Sequence, residues 1–184
     1  MGRCPVLSHG ADEAPAYHGA LTIVFANDIF AASDNNFSTG QGFTWTSAEV
    51  GQFEEGGFWN DYVDFWSFLP QVGEADNQHY VTFSLGQSFA TASDISDPFP
   101  PLDDQPYAGL LAALTGVHAR SENSLHNWWL MAGVIGPSSG AEDVQKTVHE
   151  ITGSDEPQGW DTQLKDDLTS RATGMRDTAL GMLK

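Results

Sequence analysis

The stretch QHYVTFSLGQSFATA, Gln78–Ala92, decides how the rest of the chain is read. Val81, Phe83, Leu85 and Phe89 fall on one side of an extended chain, and Thr82, Ser84, Gly86 and Ser88 on the other. A period of two over this length predicts a β-strand with one apolar and one small polar face. The polar face suits a lumen or solvent, and the apolar face suits lipid or a core. Working outward, HGALTIVFAND (18–28) and GQGFTWTSAEV (40–50) read as strands, the second with Phe43 and Trp45 opposite Thr44 and Thr46. YAGLLAALTGVHAR (107–120) and SLHNWWLMAGVIG (124–136) alternate less sharply, and the alanines and leucines of the first also suit a helix. The short SEN between them predicts a hairpin connection.

Some segments leave this pattern. FEEGGFWNDYVDFWSFLP (53–70) is dense in rings, with Trp59, Tyr62, Trp66 and Leu69 at helical spacing. It suits either an interfacial element at membrane level or a segment packed on its own barrel or core. DISDPFPPLDDQP (94–106) is a loop by its turn chemistry. KDDLTSRATGMRDTALGMLK (165–184) reads as a helix or a disordered tail.

The 184 residues hold 7 Lys+Arg against 25 Asp+Glu, a formal charge of −18. No lysine or arginine lies between Arg3 and Arg120. Nucleic acid is therefore not an expected partner, because phosphate binding needs clustered cations. Cys4 is the only cysteine, so neither an internal disulfide nor a cysteine zinc site is possible within the chain. The amino terminus has no apolar core of the kind a signal peptide needs, and no apolar run is long enough for a membrane-spanning helix. Alternating barrel strands escape that second test.

GVIGPSSGAEDVQKTVHEITG (133–153) switches from an apolar run to a capped helix. Ser139 followed by Glu142 predicts a capping box, and Gly153 the carboxyl-terminal stop. Val144, Val148 and Ile151 form the expected docking stripe, and Gln145 and His149 sit one turn apart on a neighbouring face. Histidine suits proton transfer near neutral pH, although a lone helical histidine is more often a packing or surface residue. His9, His18, His79, His118 and His126 have no companion at informative spacing and read as structural. Asn27 and Asp28 end a strand, and Ser38 and Thr39 open the next. Asp28 with an amide and backbone oxygens suits a hard cation such as calcium, while the same residues also make an ordinary Asx-rich hairpin.

FANDIF, SDNNFSTG, VTFSLGQSFATASDI, DDQPYAGLL, the 133–153 block and PQGWDTQL occur in one order. From about Leu21 to Leu164 this resembles the LpxR-type lipid A deacylase family. The resemblance implies an all-β fold, an antiparallel outer-membrane-type β-barrel of which this chain holds about half of twelve strands, with one short helix from an outer loop. It implies a tail at 1–17, a barrel portion at 18–164 with the catalytic-type helix at 139–153, and a divergent tail at 165–184. The implied activity is calcium-dependent ester hydrolysis that removes the 3′ acyloxyacyl group of lipid A in the cell outer membrane. His149 matches the family's catalytic histidine, Gln145 its helical glutamine, Asn27 and Asp28 its Asn-Asp pair, and Ser38 its hydroxyl. Asp28 and, more loosely, Asp155 are the implied metal ligands. The family's wall lysine has no counterpart, since no lysine precedes Lys146. A truncated non-catalytic β-domain of the same family and an outer-membrane phospholipase are the alternatives. Lipopolysaccharide and the membrane are the implied partners, with self-association as a way to cover open strand edges.

Overall fold

In a computed structural model, residues 19–27, 39–52 and 57–177 are described. The strands are β1 Gly19–Asn27, β2 Thr39–Ser47, β3 Gln78–Ala90, β4 Ala108–Arg120, β5 Leu125–Ile135 and β6 Asp167–Asp177. They form one antiparallel sheet in sequence order, and among the described residues it is open between β1 and β6. Two helices interrupt them, α1 at Phe58–Phe65 and α2 at Ala141–Thr152. β3 and β4 have 13 residues each. At about 3.4 Å per residue and a tilt of about 40° such strands rise roughly 30 Å, enough to cross the apolar band of an outer membrane.

The register sorts side chains into two faces, because residues directly opposite in an antiparallel pair point the same way. Leu21, Trp45, Phe83 and Thr115 align in one row, and Ile23, Phe43, Leu85 and Ala113 in the next. This is the apolar face that residues 78–92 predicted. Its middle is bare, with Ile23 78% and Leu21 64% exposed. The opposite face carries Thr44, Thr46, Thr82, Ser84, His118 and Asn127. There Thr44 and Ser84 hydroxyls meet at 2.8 Å, and Thr46 and Thr82 at 3.0 Å. His118 Nε2 accepts from Thr82 at 2.9 Å while its Nδ1 donates to Asn127 Oδ1 at 2.6 Å. These bonds tie side chains of β2 through β5 into one line, giving His118 a structural role.

Both helices lie on the apolar face, toward opposite ends of the strands. α1 buries Val63 against Val81 and Val117, with Trp59, Tyr62, Trp66 and Leu69 packed around them. Of the two readings open for 53–70, packing on the chain's own wall describes these four side chains. The tyrosine hydroxyl bonds Thr115, and Trp128 Nε1 donates to the Pro70 carbonyl at 3.2 Å.

Three sequence expectations change. Residues 167–177, expected as helix or tail, are strand β6, pairing with β5 along its whole length from Ile135–Asp167 to Leu125–Asp177. Tertiary pairing with a finished neighbour overrides the weak local alternation of that stretch. The capping box does not form. The N-cap is Gly140 at φ 68°, and Ser139 belongs to a preceding 3-10 turn, with its hydroxyl accepting from the first helical amide, Ala141 N, at 3.4 Å. The left-handed Gly140 takes the N-cap position that a capping box would give to Ser139. The docking stripe is also rotated. Ala141 and Gln145 are buried, Val144 packs against their cluster, and Ile151 is exposed.

Candidate active site

α2 is held to the wall by close backbone approach. A Cβ on Gly109 of β4 would lie 2.1 Å from Ser139 Oγ and 2.4 Å from Ala141 Cβ. From β3, Gln87 Nε2 donates to the Ser139 carbonyl at 2.7 Å, and Gln41 Nε2 of β2 donates to Gln87 Oε1 at 3.0 Å. The helix rests chiefly on β4 and β3. β1 and β2, which carry Asn27 and Thr39, lie farther along the sheet, beyond β3.

The helix is latched by Trp160, which is 2% exposed. Its ring meets Tyr107 and Phe89 edge-on, at centroid separations of 5.1 and 6.2 Å. Its Nε1 donates to Gln145 Oε1 at 2.8 Å. Gln145 is itself 5% exposed, so its amide oxygen is committed inside the protein. A Cβ on Gly159 would sit 2.3 Å from the Tyr107 ring, and Pro157 is fully buried. Burial of the hydroxyl raises the Tyr107 pKa above its usual value and keeps it neutral.

His149 lies one turn beyond Gln145, on the partly exposed side of α2. Gly153, at φ 71°, reverses the chain, and Ser154 N donates back to the His149 carbonyl at 3.0 Å. The reversal brings the Asp155 carbonyl against His149 Nδ1, which bonds it. A backbone carbonyl can only accept, so Nδ1 carries a proton, and in the neutral ring the lone pair is at Nε2. The ring is therefore held in the tautomer that takes a proton at Nε2.

The sheet brings Asn27 to the same end. Asn27 pairs with Thr39, Thr39 with Phe89, and Phe89 with Gly109. At about 4.8 Å per strand, the backbone of Asn27 lies roughly 14 Å along this row from the floor of α2. Asp28 and Ser38 fall outside the described residues. Among the described residues no group of three His, Cys, Asp or Glu side chains converges to hold a metal.

A family model for outer membrane protein LpxR matches residues 3–181. The chain belongs to the LpxR family. Its match runs past Leu164, where the sequence resemblance was expected to stop, and takes in β6. The solved structure of LpxR from Salmonella typhimurium superposes with a TM-score of 0.62 at 19% identity, over 85% of this chain and 50% of that one. The present chain thus spans about half the length of that LpxR, and the likeness establishes the shared fold. A search of curated proteins returned no match. Membership of an outer membrane protein family accords with the bare apolar band of the sheet.

Around α2, sequence reasoning missed Gln41, Gln87, Phe89, Tyr107 and Trp160. The signal for the last was present in PQGW, which reads as a motif before it reads as a latch. It also missed Asp166, whose carboxylate takes Ser138 N at 2.8 Å and Ser138 Oγ at 2.7 Å, pinning the turn that precedes α2. Those bonds, the backbone one foremost, hold Asp166 below the usual carboxylate range. Lys146 pairs with Glu142 at 2.9 Å and Glu156 at 3.7 Å on the outer side of α2. Its hydrogen bond with Glu142 raises its pKa. The line Thr82–His118–Asn127 has the order of a nucleophile, base and orienter, but Thr82 is 2% exposed and shares its hydroxyl with Thr46. An ester has no route to it.

Proposed function

We propose that this chain carries the hydrolytic site of an outer-membrane lipid A deacylase, with His149 as general base. The observation that carries the reading is the bond from His149 Nδ1 to the Asp155 carbonyl, which leaves Nε2 free to accept. Nε2 takes a proton from water, and the resulting hydroxide adds to the ester carbonyl carbon. When the carbon–oxygen bond to the sugar breaks, the imidazolium returns its proton to the leaving oxygen. The Asp155 carbonyl supports the ring while it is charged. Gln145 is a positioning residue that fixes the turn of α2 below His149 through Trp160. Asn27, at the α2 end of β1, belongs to this site, and the family resemblance adds Asp28 and Ser38 to it. Calcium held by Asp28 would supply positive charge for the oxyanion, a need sharpened by the lack of lysine or arginine before Arg120 on the wall strands β1–β3. Because α2 lies on the apolar face, a lipid ester enters sideways from the bilayer.

The test is release of 3′ acyloxyacyl chains from lipid A in detergent by the folded chain, with calcium and then with a chelator. Hydrolysis that is lost in chelator and restored by calcium supports the mechanism, and unchanged hydrolysis in chelator removes calcium from it. A second reading, a non-catalytic β-domain of the same family, is favoured by the missing wall lysine. A folded chain inactive with calcium present would select it, and release of acyl chains from phospholipid in preference to lipid A would select a phospholipase.

A further inference from the structure

α1 has two aromatic faces, and only one is used within the chain. Trp59, Tyr62 and Trp66 turn inward onto the wall. Phe58, Phe65 and Phe68 turn outward and are 66%, 69% and 72% exposed. They are not isolated rings. Phe65 and Phe68 meet edge-on at 6.5 Å, and Phe65 also packs on Trp66 at 5.5 Å. A contiguous exposed patch of this kind marks a contact surface.

Its place on the sheet says what covers it. α1 lies on the apolar face, over the rows of Val81 and Phe83, and the next row, with Leu85 and Ile23, is the bare band that faces lipid in an outer membrane protein. The patch continues that band toward one end of the strands. Asp61 and Asp64 are exposed on the same helix, and residues 57–77 contain no lysine or arginine. Carboxylates do not enter hydrocarbon, so they set the depth at the boundary between chains and headgroups. Without cations, the contact draws on apolar area and not on attraction to anionic headgroups.

We propose that α1 and the turn after it form an in-plane lipid wedge, bolted to the barrel wall by its inner rings and inserted into the boundary of a phospholipid leaflet by Phe58, Phe65 and Phe68. It fixes the height of the barrel in the bilayer, and hence that of α2 at the other end of the strands. This rests on the membrane location of the family and not on the esterase reading.

The experiment uses the full chain in its outer membrane, with Cys4→Ser and single nitroxide labels at Phe58→Cys, Phe65→Cys or Phe68→Cys. Ile23→Cys serves as the lipid control and Glu122→Cys, in the β4–β5 hairpin, as the water control. Collision with oxygen reports lipid and collision with a water-soluble nickel chelate reports water. All three wedge labels are expected to favour oxygen as Ile23→Cys does, at a shallower depth. Nickel access equal to that of Glu122→Cys overturns the proposal. So does exclusion of both probes, which would mean that a protein partner covers the patch. If Ile23→Cys itself reads water, the lipid-facing band is wrong and the wedge falls with it.

Discussion

His149 owes its readiness to one carbonyl. The Asp155 oxygen at Nδ1 selects the tautomer, and the ring stays partly exposed, so little packing depends on it. His149→Ala is expected to lower lipid A deacylation by about 10²–10⁴-fold, the usual contribution of a general base. The thermal midpoint should barely move, and near-normal turnover would remove His149 from the mechanism. Gln145 behaves in the opposite way. Its oxygen is buried against Trp160 Nε1, so Trp160→Phe leaves a buried acceptor without a donor and should cost about 1–3 kcal/mol. Adding Gln145→Leu replaces both partners with apolar groups and should recover part of that loss. A double-mutant cycle in denaturant that finds the two changes simply additive would show that they do not act as a pair.

At the scale of elements, the helix is placed by what surrounds it more than by its own caps. Gly136, at φ 102°, approaches Asp166 N so closely that a Cβ would stand 2.7 Å from it. The bonds from Ser138 to Asp166 close this corner, and Asp104 closes the β3–β4 loop by taking Ser93 N, Ser93 Oγ and Gln105 N. Both carboxyls are lowered from the ordinary 3.8, in each case chiefly by a backbone hydrogen bond, from Ser138 to Asp166 and from Ser93 to Asp104. A lowered folded pKa gives stability that is present above the unfolded value and is lost as pH falls through the folded one. Amide exchange in 93–105 and 136–139 should therefore rise below about pH 3.8, with the core strands still protected. Asp166→Asn should flatten this response at 136–139 alone, and an unchanged acid response there would assign it to another group.

At the scale of the whole sheet, two unlike faces stand back to back, one apolar and bare and one lined by hydroxyls. Leu85 stands in the bare band and Ser84 on the hydroxyl-lined side. Leu85→Arg should weaken membrane insertion by about 2–4 kcal/mol if it lies near the midplane, whereas Ser84→Arg should be tolerated far better. Folding into vesicles read by protease resistance measures both, and equal sensitivity at the two positions would mean that the faces are misassigned.

Alternation in residues 78–92 was enough to read the class of fold and the two faces of β3 and its neighbours. A face is set by a period of two and needs no knowledge of the partner strand. The order of motifs was enough to point to the family, and 133–153 to place a helix with His149 one turn after Gln145. Strand β6 was not legible, since its alternation is weak and β5 supplies the pairing. The rotation of α2 was not legible either. Its stripe residues Val144 and Ile151 look alike in a helical projection, but only tertiary packing on Gly109, Phe89, Tyr107 and Trp160 decides that the first is covered and the second left bare. The same packing sends Gln145 inward to a tryptophan 15 residues away and brings the Asp155 carbonyl to His149. The turn at Gly153 is marked in the sequence, but a hydrogen bond across the reversed chain also needs the returning segment to lie against the helix, and the burial of Pro157 and Trp160 beside Tyr107 holds it there.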